Sequence, residues 1–298
     1  MPVTNVALRP DRLDAVSAEG PLAVEAMFRF LGTDVRVVSA SVDLLQHWTA
    51  EYGAFRVPPG PAEITVHVDA ASHGAPVPGQ VTIERDGLRV PWRGTGPVLP
   101  PLTVPPLDRW VGLHGAAVGR AGQAVLLLGA PHTGKTLLAL SAVALGARLL
   151  ADGLLLLDPG DLLLAPFPQA LRLRHEELAL LGIDPAHPAL VPFRPRRRAV
   201  QWRADPAALL GHRADRVAAG ITAVVFLEPD EQDERPRLRP LAPERALAWL
   251  PRHLGEPGAD PARVEPVLAR LCRQVPAFTL PPAIRVGAAE AVDRLLQA

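Results

Sequence analysis

The chain has 298 residues, 48% of them apolar, and zero formal net charge at pH 7, which suits one large domain or two ordinary ones with a sizeable core. The neutral charge argues against a general affinity for nucleic acid or for an anionic membrane. Cys272 is the only cysteine, which excludes an internal disulfide framework and any multi-cysteine metal site.

Targeting signals are also not evident in the sequence. Segment 1–16 has no basic stretch followed by an apolar run, so we expect no signal peptide. The longest apolar runs, such as Leu154–Leu157, are far too short to span a bilayer. Together with the single cysteine, these features favour a cytoplasmic protein that has neither nucleic-acid nor membrane partners.

The first 100 residues predict a small α+β domain. Segment 27–40 indicates two short strands around a Gly-Thr turn, and 41–55 has the apolar spacing of a helix. Segments 62–70 and 79–92 alternate apolar and polar residues, as half-buried strands do. We assign this domain to substrate recognition or assembly.

Two histidines of this domain, His67 and His73, are close in sequence. Two histidines without a further ligand are better explained as surface residues than as a metal site. The first domain therefore contains no predicted catalytic group.

Proline and glycine are concentrated in 94–106, which predicts a linker before a second domain at 104–298. The second domain begins with an apolar hairpin and continues through buried segments that predict an α/β fold. Its remaining predicted elements are a helix at 136–145, strands at 148–152, 154–158 and 221–229, helices around 244–254 and 261–274, and a short strand pair with a closing helix at 275–298.

The stretch GAPHTGKT joins the second strand of the hairpin to the first helix and fits the phosphate-binding pattern G-x-x-x-x-G-K-[ST]. Glycines let the backbone N–H groups of such a loop turn inward toward phosphate oxygens, and the following helix adds its positive end. The predicted nucleotide-binding residues are Gly129, Ala130, Pro131, His132, Thr133, Gly134, Lys135 and Thr136.

Lys135 is the only lysine among the 31 lysine and arginine residues of the chain. A compact ammonium suits the β- and γ-phosphates of a nucleotide better than a planar guanidinium does, and the Thr136 hydroxyl is the usual ligand to Mg²⁺. The sequence therefore predicts that lysine itself is needed at this position.

The segments LHG at 113–115, the loop after a hairpin, and GARLLADG at 146–153 resemble the catalytic domain of the HPr kinase/phosphorylase family, whose core is related to phosphoenolpyruvate carboxykinase. The resemblance extends over 104–298 and is most specific over about 110–180. Relative to Lys135, His114 lies 21 residues earlier and Asp152 lies 17 later, as in that family.

The resemblance implies a P-loop kinase domain of the HPr-kinase/carboxykinase type that uses ATP and Mg²⁺ to phosphorylate a hydroxyl, typically a serine of a peptide or protein. It implies catalytic roles for Lys135, for Asp152 as the base and for His114 near the phosphates, although His114 is equally well explained as a structural histidine. Thr136 and Asp152 are the implied Mg²⁺ ligands. Relatives of this type form homo-oligomers.

The sequence departs from the family at two positions. Gly153 replaces the second of two adjacent aspartates, and His132 stands where the family commonly has glycine. The departure at Gly153 keeps open a catalytically weak nucleotide-binding accessory or regulatory protein. A small-molecule kinase is a further alternative.

Three other features have alternative interpretations. Glu228 ends an apolar strand, as the catalytic carboxylate of a Walker-B ATPase would. We favour a core strand that ends in a solvated acid, because a hairpin precedes the loop here, whereas such ATPases place a parallel, helix-linked strand there. The arginine-rich segment 194–203 is either a phosphate or acidic-substrate clamp or a solvated charge run, and Arg172 and Arg174 alternate on a predicted strand. Cys272 lies in an apolar helix, which indicates a buried thiol.

Overall fold

In the computed structural model the described residues are 15–16, 23–68, 81–91, 109–193, 199–211, 217–228, 237–255, 260–281 and 287–297. The chain divides into two compact units, Met1–Pro100 and Pro101–Ala298. Both units contain helices and β-sheet, so the chain has an α/β fold with mixed sheets.

Among its described residues, the first unit contains one sheet and one α-helix. In the sheet the order is β1-β2-β3-β5-β6-β7, with β4 paired to β2; only the β3–β5 pair is parallel. Its elements are β1 (Ala15–Val16), β2 (Ala23–Phe30), β3 (Thr33–Ser39), α1 (Val42–Tyr52), a 3-10 turn (Gly53–Phe55), β4 (Arg56–Val57), β5 (Ile64–Val68), β6 (Val81–Arg85) and β7 (Leu88–Pro91).

Alternation of buried and half-buried residues along β3 and β5 gives this sheet one apolar face, as the sequence predicts. Helix α1 covers that face through an aromatic cluster in which Trp48 packs on Phe28 and Tyr52 packs edge-on against Phe30. His67 hydrogen-bonds the Glu84 carboxylate at 3.0 Å, whereas His73 lies outside the described residues.

The described strands of the second unit form two sheets. They are β8 (Val111–Arg120), β9 (Gln123–Gly129), β10 (Arg148–Leu157), β11 (Leu163–Ala165), β12 (Phe167–Pro168), β13 (Leu171–Leu173), β14 (Leu190–Phe193), β15 (Gln201–Ala204), β16 (Ala219–Leu227), β17 (Arg239–Leu241) and β18 (Ala277–Leu280). The helices are α2 (Lys135–Ala144), α3 (His175–Leu180), α4 (Pro206–Leu210), α5 (Pro243–Trp249), α6 (Pro261–Gln274) and α7 (Ala288–Leu295), with a 3-10 turn at Leu250–His253.

The larger sheet has the order β11-β10-β8-β9-β16-β18-β17, and β12 pairs with β10. Strand β8 is antiparallel to both of its neighbours, β10 and β9, whereas β9, β16 and β18 are parallel. Gly129, Leu227 and Leu280 lie side by side in register. The chain segments that leave these three parallel strands therefore start at one edge of the sheet.

Helix α2 is buried on most sides because it packs between the large sheet and α7. This explains its sequence, which is apolar almost throughout instead of amphipathic. The small sheet, ordered β13-β15-β14, adds Leu171, Leu173, Leu190 and Ala204 to the same core.

Two predicted boundaries are wrong. Segments 148–152 and 154–158 form the single strand β10, because Gly153 takes a φ of +95° and lets the chain continue without a break. The helix predicted over 244–254 is shorter: α5 ends at Trp249 and a 3-10 turn follows, since Pro251 cannot donate a helical hydrogen bond. Of the predicted closing strand pair, the described residues contain one strand, β18, before α7.

Within the described ranges, every helix is too short or too polar to cross a bilayer.

Candidate active site

The GAPHTGKT loop lies where the sequence predicts it, between the end of β9 and the start of α2. Gly134 is the residue before the helix and has a φ of +87°, a left-handed conformation that favours glycine. A Cβ at Gly129 would lie 2.8 Å from the Leu227 carbonyl and from Thr133 Oγ1. Both glycines of the pattern are therefore required by the backbone itself.

Lys135 extends back across this loop. Its Nζ donates to the carbonyl oxygens of Gly129 at 2.9 Å and of Ala130 at 2.8 Å, and the residue is only 9% exposed. Burial lowers the pKa of the ammonium, while the negative charge of Asp152 opposes that effect. Because an ammonium has three donors, one remains for a ligand after the two carbonyls are satisfied.

Asp152 on β10 accepts a hydrogen bond from the Thr136 hydroxyl, with distances of 2.9 and 3.0 Å to its two oxygens. Burial raises its pKa to about 6. The hydrogen bond from Thr136 and the charges of Lys135 and Arg172 lower it, whereas Glu177 raises it. The carboxyl group therefore titrates close to neutral pH.

His114 lies on β8 opposite Leu154 and is exposed. Desolvation and the charge of Lys135 lower its pKa, while a backbone hydrogen bond with Gly153 raises it. The net effect favours the neutral imidazole, and His114 lies close enough to Lys135 for the lysine charge to lower its pKa. The structure thus brings together Lys135, Thr136, Asp152 and His114, although they come from three separate elements.

His132 is at the top of the loop with a φ of +70°. This conformation strains any residue other than glycine, although histidine accepts it better than most. Its Nδ1 is hydrogen-bonded to the Arg174 guanidinium, and the Arg174 backbone N–H donates to Glu177 at the start of α3. The loop is therefore connected to the small sheet and α3 through one side chain.

The environment of Gly153 is unfavourable for a residue that has a Cβ. Besides the φ of +95°, a Cβ at this position would lie 2.5 Å from Gln169 Oε1. Gln169 is 7% exposed and follows β12, which pairs alongside Asp152. A buried neutral amide thus occupies the space beside the single carboxylate.

His253 is a site residue that sequence reasoning missed. It is 7% exposed in the 3-10 turn, where its ring packs against Phe226. Burial and then the charges of Lys135, His114 and Arg252 lower its pKa to about 4. Pairing of Leu113 with Leu254 holds this turn against β8. No local motif marks His253, because only tertiary packing brings it to the site.

The other candidates have mixed outcomes. Glu228 follows β16, which lies parallel beside β9. The hairpin before the loop therefore does not by itself argue against a Walker-B arrangement of this carboxylate. Cys272 is buried, and burial raises the pKa of its thiol to about 11, as expected for a structural cysteine. Of the arginine-rich segment, 194–198 lies outside the described residues, and Arg203 stacks on Phe193.

The oxygen donors of Thr136 and Asp152 fit Mg²⁺, which prefers oxygen ligands. The described residues hold no cluster of three or more His, Cys, Asp or Glu side chains that could bind a metal alone. Mg²⁺ commonly takes one or two carboxylates and completes its shell with water and substrate phosphates. Thr136 and Asp152 are therefore the oxygen donors that a Mg²⁺–nucleotide complex would use.

No protein-family model matches the chain, and no curated protein matches it significantly. Among solved structures, the Hpr(Ser) kinase/phosphatase from Coxiella burnetii is similar, with 15% identity and a TM-score of 0.33 over 62% of this chain and 88% of that chain. This is a weak and remote likeness to a kinase structure, and it does not by itself support a shared activity.

Proposed function

We propose that this protein is an ATP-dependent kinase that transfers the γ-phosphate to a hydroxyl, most favourably a serine of a peptide or protein. The observation that carries the proposal is the hydrogen bond from Thr136 to Asp152. It joins the residue that ends the loop pattern directly to the carboxylate that the family resemblance assigns as the base.

The loop has the features needed to bind phosphate. The left-handed Gly134 starts α2, the Lys135 ammonium lies within the loop, and the positive end of the ten-residue helix faces the same region. All three favour negative charge, so the triphosphate of ATP is the ligand that suits them best.

Asp152 is suited to act as the base. With a pKa of about 6 it is ionised at pH 7 but still accepts a proton readily. In the proposed step it takes the proton of the acceptor hydroxyl, whose oxygen forms a bond to the γ-phosphorus. The bond from that phosphorus to the β–γ bridging oxygen breaks, and ADP leaves with the electron pair.

Thr136 and Asp152 would hold Mg²⁺, which supplies positive charge to the phosphate oxygens when bound. His114 and His253 are close enough to Lys135 for its charge to lower the pKa of each imidazole, which favours their neutral forms. We assign them to positioning the phosphates and the lysine.

The test is phosphate transfer from labelled Mg-ATP to serine peptides by the full chain. We expect Asp152→Asn to lower transfer by about 100-fold or more while nucleotide binding persists, and Lys135→Arg to weaken nucleotide binding by about tenfold. The exposed Asp161→Asn serves as the matched control. Unchanged transfer by Asp152→Asn would remove Asp152 as the base.

A nucleotide-binding accessory protein is the second candidate, favoured by the one carboxylate at Asp152 and the buried amide of Gln169 beside Gly153. Calorimetric binding of Mg-ATP without transfer to peptide or small-molecule hydroxyls would support it over a kinase. Transfer to metabolites but not to peptides would instead identify a small-molecule kinase.

A further inference from the structure

The small sheet β13-β15-β14 has one face in the core and one face turned away from it. Leu171, Leu173, Leu190 and Ala204 belong to the core. Because side chains alternate along a strand, the residues between them lie on the opposite face. The register sets Arg172, Arg203 and Val191 side by side in one row across the three strands.

This row is unusual in its charge. Arg172 and Arg203 are directly opposite each other, an arrangement in which like charges destabilise a strand pair. Residues that break a local rule of this kind are most often retained for function. Arg174 lies on the same face, just after β13, and its guanidinium hydrogen-bonds His132 of the loop. Three guanidinium groups thus extend from the loop across the small sheet.

The row begins at the candidate base and leads away from it. The charge of Arg172 lowers the pKa of Asp152, and Arg203 lies opposite Arg172 on the next strand of the small sheet. Arg174 is next to the phosphate loop, but the Arg172–Arg203–Val191 row reaches toward the far strand β14. The row is therefore better placed for an acceptor than for the phosphates of ATP.

The chemistry of the row matches an acidic segment with some apolar character. The Arg203 guanidinium lies 4.8 Å from the centre of the Phe193 ring, which holds it flat against the sheet. Val191 is 54% exposed beside it. Guanidinium groups held in this way bind carboxylates in pairs of hydrogen bonds.

We propose that this face, defined by Arg172, Arg203 and Val191 with Arg174 at its inner end, docks an acidic segment of the acceptor and so delivers a neighbouring hydroxyl to Asp152. The inference rests on the proposed kinase function and adds the class of acceptor: a peptide or protein with Asp or Glu close to the phosphorylated residue.

The experiment has a binding part and a transfer part, both with the full chain. Binding is measured by fluorescence anisotropy in the absence of nucleotide. The labelled acidic peptide has one serine flanked by four glutamates, and in its two counterparts alanines or lysines replace the glutamates. We expect the acidic peptide to bind at least about tenfold more tightly than either counterpart at low salt, and the difference to shrink as salt rises.

Variants assign the preference to the row. Arg172→Gln and Arg203→Gln should each reduce the acidic preference by about threefold or more, and Arg172→Glu should shift it toward the lysine peptide. Arg273→Gln, at an exposed arginine in the last turn of α6, is the matched control and should leave the preference intact. If loss of the Phe193 contact unfolds Arg203→Gln, the exposed Arg172 variants decide the result.

The transfer part uses the same peptides with labelled Mg-ATP. Equal binding of the acidic, neutral and basic peptides, or a preference that the Arg172 variants leave unchanged, would overturn this inference while leaving the kinase proposal intact. Acidic preference in binding without phosphate transfer to any peptide would contradict the kinase proposal and leave the docking surface standing.

Discussion

At the residue scale, Asp152 is a carboxyl group that the fold holds in an unfavourable environment. Burial raises its pKa from 3.8 to about 6 despite the hydrogen bond from Thr136 and the charge of Lys135. The folded state therefore binds this proton more tightly than the unfolded state does. The tighter proton binding stabilises the folded state fully below about pH 4, and this stabilisation is lost as the pH rises through 6.

We therefore predict that Asp152→Asn stabilises the ligand-free protein about three times as much at pH 8 as at pH 4.5. The shift corresponds to roughly 3 kcal/mol at most at the higher pH. Urea unfolding at both pH values measures the difference, with the exposed Asp161→Asn as control. Equal stabilisation at the two pH values would mean that ionisation of Asp152 is not the cause.

His132 makes a second prediction at this scale, because its φ of +70° is unfavourable for every residue except glycine. His132→Gly and His132→Ala both remove the hydrogen bond to Arg174, but only glycine relieves the backbone strain. We expect the glycine variant to be about 1 kcal/mol more stable than the alanine variant. Equal unfolding free energies would show that the ligand-free loop does not hold this conformation.

At the element scale, strand β10 depends on Gly153. The glycine lets one strand carry Asp152 to the loop and continue into Leu154–Leu157, which was predicted as a separate strand. A Cβ at this position would lie 2.5 Å from Gln169 Oε1, so the glycine of β10 is coupled to a buried side chain.

We predict that Gly153→Ala destabilises the protein by about 2–4 kcal/mol, from left-handed strain together with the clash against Gln169. Gly182→Ala, with a φ of +65° and open space around it, is the matched control for strain alone. Adding Gln169→Ala should recover part of the Gly153→Ala loss. A double-mutant cycle in urea measures this coupling, and additive effects would contradict the clash.

At the scale of the whole molecule, the described site residues all belong to the unit Pro101–Ala298. That unit has its own large sheet, its own core and the loop with its neighbouring histidines. A unit with a separate core is expected to fold without the rest of the chain. The first unit is then free to serve recognition or assembly, as we propose for it.

We predict that the fragment 101–298 unfolds in one cooperative transition and binds Mg-ATP within about threefold of the full chain. Circular dichroism in urea measures the transition, and fluorescence of Trp110, Trp202 and Trp249 reports on this unit. A fragment without a cooperative transition would show that residues 1–100 are needed for its core.

Much of the site could be predicted because its signals are local. The glycine spacing of GAPHTGKT, the apolar hairpin before it and the alanine-rich helix after it are each written within a few residues, and the structure has this order. The boundaries within 148–158 and 244–254 were predicted less well. A strand that passes through glycine and a helix that becomes a 3-10 turn depend on tertiary packing.

The sequence by itself determined the loop, its single lysine and the spacing that singles out His114 and Asp152, because backbone propensity and motif spacing act over short distances. Only the tertiary structure decided that His253 is buried within reach of Lys135, that Gln169 fills the space beside Gly153, and that Arg172 faces Arg203. These relations join residues far apart in the chain, and they exist only after the strands have paired and the core has excluded water.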